Sequence, residues 1–332
     1  MTRALRLGTR ASKLARTQSE QVAAALRTAL DRPVELVDVT TEGDTSRAPL
    51  DQLGGTGVFV SALREALLDG RVDLAVHSLK DLPTGAAEGI ALAAVPQRED
   101  PRDALIAADG RTLGELPVGA RVGTGSPRRV AQIAALGLGV ELVGIRGNVD
   151  TRIGKVTSGE LDGVVLARAG LARLGRAGEI TETLDPIQVL PAPGQGALAV
   201  ECRAADTELS AEIAAALDHA DTRACVTAER ALLAELEAGC TAPVGALAEI
   251  SEGEDGEELW VRAVALSTDG ALSVRRSITG SPASADDLGR KLAAEMLGDG
   301  AGDLLAPAVE DPPDPRTAAP VRPHDPETRR SS

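Results

Sequence analysis

The chain is 332 residues long and 43% apolar, which predicts about two or three domains with hydrophobic cores of their own. It holds one Trp, one Phe and no Tyr, so those cores are built from Ala, Val, Leu and Ile, and stacking platforms for single-stranded nucleic acid are excluded. With 35 basic against 50 acidic side chains the net charge is −15, the wrong sign for coating nucleic acid or an anionic membrane.

Met1 to Leu14 holds no long apolar stretch, so no signal peptide is expected. No apolar run approaches the ~18 residues of a membrane span. Leu5-Arg6-Leu7-Gly8 reads as a short strand running into Thr9, and Ser12 then opens a helical pattern through Leu14, Val22, Leu26 and Leu30. Thr41–Gly57, rich in Gly and polar residues, reads as a mobile lid. The strand Val72–Val76 follows, and His77-Ser78-Leu79-Lys80-Asp81-Leu82-Pro83 stands at its carboxyl end, where α/β sheets gather ligand groups.

Both features recur in the same order. Ala120–Ser126 repeats the strand, Gly-Thr and Ser of the N-terminus, with helix-patterned Val130, Ile133 and Leu136 behind it. Gly159-Glu160-Leu161-Asp162-Gly163-Val164-Val165 echoes Gly70-Arg71-Val72-Asp73-Leu74-Ala75-Val76. The repeat predicts two similar α/β domains with buried, parallel-type strands. Ala192-Pro193-Gly194-Gln195-Gly196-Ala197 reads as a sharp crossing segment between them. Beyond Glu201 the pattern changes. Helices are predicted over Asp206–Leu217 and Thr222–Glu237, strands over Val244–Ile250, Glu258–Leu266 and Ala271–Ile278, and a helix over Ser284–Leu297, which together suggest a small α+β domain. From Ala306 on, seven Pro in 27 residues predict a disordered tail.

Only four of the basic residues are Lys, so Arg dominates, and guanidinium forks suit carboxylate ligands. Arg10, Arg128 and Arg129 fall at the two repeated helix starts, where N–H groups attract anions and a cation opposes the dipole. That unfavourable placement points to an anionic ligand. Arg146 and Arg152 flank the turn Gly147–Thr151, and Arg173 follows another glycine turn, so a polycarboxylate is the ligand class that explains the set. Asp81 can hold an N–H donor or steady a cation. The three Cys are widely spaced, with no C-x-x-C, and the three His (77, 219, 324) lie far apart, which predicts neither disulfides nor a metal site and suggests a reducing, cytoplasmic setting. Cys202 and Cys225 read as inert core thiols, whereas Cys240 sits in a Gly-Cys-Thr-Ala-Pro loop that can expose it. These residues by themselves describe a two-lobed anion-binding protein with one conspicuous thiol.

Six stretches extend that reading: Gly8–Ala15, His77–Pro83, Gly123–Arg129, Arg146–Arg152, Leu190–Ala197 and Gly239–Gly245. Their content and order, over about residues 3 to 300, resemble the porphobilinogen deaminase (hydroxymethylbilane synthase) family. The resemblance implies two type II periplasmic-binding-protein-like α/β domains with a cleft between them and a small α+β C-terminal domain. It implies domain 1 over 1–98 and 197–215, domain 2 over 99–196, domain 3 over 216–303 and a tail over 304–332. It also implies a dipyrromethane cofactor on a Cys240 thioether, porphobilinogen as substrate, and a cytoplasmic monomer. Four substrates would join head to tail with loss of ammonia, and water would release hydroxymethylbilane.

By the same likeness, Asp81 is the catalytic carboxylate that steadies the azafulvene-like cation formed as ammonia leaves. Ser12, Lys80, Asp81, Ser126, Arg128, Arg129 and Arg146 would hold the cofactor, and Arg10, Arg152, Arg173, Phe59 and Gln195 the substrate. Thr56 stands where relatives often carry Lys, which puts a carboxylate contact from that position in doubt, and Pro127 stands where Leu is common, which stiffens the helix start rather than changing the chemistry. The competing readings are a non-catalytic polycarboxylate-binding protein of the same shape and a plain thiol enzyme using Cys240.

Overall fold

The computed structural model describes residues 3–39, 57–239, 242–253 and 256–306, without the side chains of 57–59. The expected lid, Thr56, Cys240 and nearly all of the Pro-rich tail lie outside the described residues.

The two repeats form two five-stranded sheets of equivalent order. In the first, β1 (Leu5–Thr9), β2 (Val34–Asp38), β3 (Leu74–Ser78) and β4 (Ile90–Ala94) are joined by β10 (Leu198–Arg203) in the order β2-β1-β3-β10-β4. The second holds β5 (Asp103–Ala107), β6 (Arg121–Thr124), β7 (Glu141–Gly144), β8 (Gly163–Ala167) and β9 (Glu182–Thr183), ordered β7-β6-β8-β5-β9. The echoed sequences occupy matching places: β1 and β6 lie parallel to β3 and β8. Gly8 and Gly123 are equivalent in position and in cause. A Cβ on Gly8 would press Leu63 and Val72 at 3.1–3.2 Å, and one on Gly123 would meet Leu161 at 2.6 Å.

One strand in each sheet departs from the parallel expectation. β10 runs antiparallel to both its neighbours, and β5 runs antiparallel to β8. Each of these strands enters its sheet directly from a crossing between lobes, which reverses its direction relative to strands reached through helices.

Helix α1 (Lys13–Leu30) covers the first sheet with Val22, Ala23 and Leu26, and begins where the Ser12 hydroxyl accepts the Ala15 N–H. Next come α2 (Gly57–Leu68), α3 (Pro127–Ala135), α4 (Val149–Thr157) and α5 (Arg168–Arg173). α1 meets α5 across the lobe junction, and there Lys13 approaches Asp150 of α4 to 3.8 Å.

The third unit packs α7 (Ala220–Glu235) and α8 (Ala285–Gly298) on the meander β11 (Val244–Gly253), β12 (Gly256–Leu266) and β13 (Ser273–Gly280). The hairpin strands run further than the turn signals predict, to a Gly253–Gly256 pairing. α6 (Thr207–Leu217) packs on the first sheet through Ile213. Glu229 of α7 docks the unit. Fully buried, it takes Arg98 in a two-pronged pair at 2.7 and 3.0 Å and accepts the N–H groups of Gly194 (2.6 Å) and Ala248 (2.9 Å). One carboxylate thereby joins the crossing segments to the third core.

Candidate active site

The turn Leu79–Asp81 is a single 3-10 turn at the carboxyl end of β3. Leu79 N–H donates to the Ala197 carbonyl at 3.0 Å, which seats the turn against the crossing segment. Gln18 of α1 bonds Ser78 at 3.0 Å and fixes the strand end from the other side. Lys80 therefore points inward, and Asp81 beside it is half-buried. Burial pushes the Lys80 ammonium below the usual lysine range, the Asp81 charge pushes it back up, and Arg129 lowers it again.

The Lys80 Nζ lies 3.4 Å from the Gln195 Oε1. The Gln195 Nε2 donates at 2.7 Å to both the Pro101 carbonyl and Asp103. Asp103, fully buried at the head of β5, faces two cations: Arg129 donates to its Oδ1 and Arg128 stands 2.8 Å from its Oδ2. Each arginine also donates to a carbonyl, Arg128 to Leu190 at 2.5 Å and Arg129 to Val165 at 3.0 Å. Their Nε–H groups are buried and have no acceptor among the described residues. Burial presses the Asp103 carboxyl upward, but Arg128 and Arg129 outweigh it and hold the group well below the carboxylate range.

Several predicted residues thus come together. Lys80, Asp81, Gln195, Arg128 and Arg129 share one polar cluster. Arg152 joins it: its Nε donates to the Gly147 carbonyl at 2.8 Å, and burial followed by Arg129 lowers its pKa. Arg173, its pKa lowered by burial, donates to the Gly196 carbonyl at 2.7 Å. Arg10 and Ser12 precede the Lys13 end of α1 at the lobe junction, and Arg146 stands exposed before the Asn148 N-cap. Ser126 holds the N-cap of α3 without a side-chain capping bond, unlike Ser12. Phe59 lies in α2, its side chain outside the description.

Two expectations change in physical content. Arg128 and Arg129 do not face a ligand alone, because a protein carboxylate already balances part of their charge. Gln195, only 1% exposed, has its amide engaged by Lys80, Pro101 and Asp103. Sequence reasoning missed Asp103. The visible signal was an acid heading the apolar run Ala104–Ala107. It also missed Glu201, inside the apolar strand Leu198–Cys202, where it pairs His77 at 3.2 Å and Arg64 at 2.6 Å. Among the described residues no group of three His, Cys, Asp or Glu could hold a metal ion, and no helix is long and apolar enough to cross a membrane.

Fold and site define a two-lobed α/β protein with a buried guanidinium-rich cluster at the lobe junction and a docked α+β unit. Comparison with known proteins narrows that class. Residues 5–211 match the family described as "Porphobilinogen deaminase, dipyromethane cofactor binding domain", and residues 223–298 match "Porphobilinogen deaminase, C-terminal domain". The chain belongs to the porphobilinogen deaminase family. It is 58% identical over 313 residues to the porphobilinogen deaminase of Mycobacterium avium, covering 93% of this chain and 98% of that one. It is 59% identical over 312 residues to porphobilinogen deaminase 1 of Streptomyces coelicolor, covering 91% and 98%. Among solved structures, an ancestral arginine-binding protein bound to arginine is similar at 18% identity and a TM-score of 0.35, covering 65% of this chain and 91% of that one. The methionine-binding protein MetQ is similar at 12% identity and a TM-score of 0.40, covering 64% and 89%. Nothing about ligand or activity follows from either.

Proposed function

We propose that this chain is a transferase of tetrapyrrole biosynthesis that joins four porphobilinogen molecules head to tail and releases hydroxymethylbilane. The observation that carries this reading is family membership over nearly the whole chain, and it disfavours a non-catalytic polycarboxylate binder. The buried donors suit the chemistry. A ligand bearing acetate and propionate arms offers acceptors for cations whose Nε–H groups have none among the described residues. Dipyrromethane, when bound, supplies the pyrrole end that the first substrate joins. In each round the C–N bond of the substrate's aminomethyl group breaks, and a C–C bond forms from its methylene carbon to the free ring carbon of the chain end. The C–H bond at that ring carbon breaks, and the aminomethyl nitrogen leaves as ammonia with the proton balance supplied by that C–H.

The chain's own residues divide the remaining work. Asp81 accepts pyrrole N–H groups and offsets the positive charge that develops as ammonia departs. Lys80, Arg128, Arg129, Arg146, Ser12 and Ser126 hold cofactor carboxylates. Arg10, Arg152 and Arg173 hold those of the substrate, with Phe59 over the ring. Gln195 acts through Lys80 and Asp103. Cys240 carries the thioether. Sheet membership supports a first domain over 1–98 and 197–215, a second over 99–196 and a third over 216–303. The tail proposed over 304–332 rests on its Pro-rich composition, and its first residues, through Leu305, still pack on the third core. We extend the proposal to a cytoplasmic monomer: the compartment is supported by the disulfide-free buried Cys202 and Cys225 and tested by cell fractionation, and the monomer follows the family likeness and is tested by sedimentation.

Intact mass with a peptide map tests the central reading. The protein is expected to exceed its sequence mass by two pyrrole units located on Cys240, and Cys240→Ser to carry none. An unmodified chain that stays unmodified after porphobilinogen is added overturns the function. A Cys240→Ser protein that still carries covalent pyrrole overturns the attachment site.

A further inference from the structure

We propose that Asp103 is a positioning residue that holds Arg128 and Arg129 ready before any ligand carboxylate arrives and, through Gln195, fixes Lys80 from the opposite lobe. The inference rests on the functional reading above.

Four observations support it. Asp103 is fully buried, as are Arg128 and Arg129 at 3% and 5% exposure. Two guanidinium groups this close repel each other in a medium that screens poorly, so the protein without its cofactor needs a resident anion between them. The Asp103 carboxylate engages only a terminal nitrogen of each arginine, and each Nε–H stays without an acceptor among the described residues. The pair is therefore held in place without being saturated, and with Lys80 nearby the cluster keeps a positive excess for an incoming polycarboxylate. Finally, the Gln195 amide spans Asp103 and Lys80. A carboxylate on the second sheet thus sets the ammonium beside Asp81 on the first.

Asp103→Asn tests the idea, because it keeps the shape and removes the charge. The full-length chain is made in cells that lack porphobilinogen and then given it, and cofactor uptake is followed by intact mass. Uptake is expected to slow on the order of tenfold, the scale on which losing an outer partner weakens a ligand site. The melting temperature is expected to fall further in the unloaded protein than in the loaded one, because ligand carboxylates then replace the missing anion. Equal falls in both forms, with uptake at the wild-type rate, would reduce Asp103 to packing and overturn the inference. Where Asp103→Asn does not accumulate, Gln195→Met removes the amide that joins Lys80 to Asp103 and Pro101, leaves the Asp103–arginine pairs in place, and is also expected to load slowly; unchanged loading overturns the inference. A wild-type chain that takes up no pyrrole defeats the functional reading instead, so the two failures are told apart.

Discussion

Asp81 is defined by what surrounds it. It follows a half-buried lysine in a turn pinned by the Ala197 carbonyl, so its backbone is fixed from the crossing segment rather than by its own strand alone. A carboxylate so placed faces a reacting cation without having to reorganise, and fixed charges of this kind lower barriers by several kcal/mol. Asp81→Ala is expected to keep the cofactor mass and lose about a hundredfold or more in kcat. Steady-state turnover beside intact mass checks it, and near-normal turnover removes Asp81 from the mechanism. The neighbouring cations differ in kind. Arg128 and Arg129 already share a protein carboxylate, whereas Arg152 and Arg173 reach only backbone carbonyls among the bonds described, with the Glu99 charge offsetting part of the burial of Arg173.

At the scale of elements, the crossing segment decides how the lobes meet. Gly194 and Gly196 adopt φ of +74° and +88°, and a Cβ on Gly196 would collide with the Glu99 carbonyl oxygen. Space and backbone both demand glycine there. Gly196→Ala is expected to destabilise the fold by about 2 kcal/mol or more, read by denaturant unfolding; a change within experimental error would show that the segment relaxes freely. The sequence displays both glycines and the repeated strand starts, because turns and periodic apolar runs are local signals. It does not display that β5 and β10 run antiparallel, since a strand buried on both faces carries no mark of direction. Nor does it display the Asp103 cluster. That carboxylate meets partners 26 and 92 residues away along the chain, and only the folded topology brings them together. The hairpin strands β11 and β12 were legible to within a few residues, and their ends were missed because polar residues there still pair across the ladder.

Across the whole molecule, buried carboxylates paired with arginine tie distant segments. Asp73 holds Arg6 and Arg3 of the N-terminal strand region, and Glu201 of β10 holds Arg64 of α2 and faces His77 of β3. Burial alone would raise both carboxyls. For Asp73 the Arg6 hydrogen bonds reverse that, and for Glu201 the bonds from His77 and Arg64 do, lowering each to about 2 from ordinary values of 3.8 and 4.5. A carboxyl lowered on folding contributes stability that is complete above its unfolded value and is lost as the pH falls through its folded value. The protein is therefore expected to hold its stability down to about pH 4.5 and to lose it steadily toward pH 2, with about 2 kcal/mol from Asp73 and about 3 kcal/mol from Glu201 in that window. Urea unfolding from pH 7 to pH 2 reads the slope. Glu201→Gln is expected to be less stable at pH 7, because Arg64 and His77 lose their shared anion, yet flatter with pH below 4.5. A wild-type profile with no slope in that window would show that these ion pairs do not anchor the folded chain.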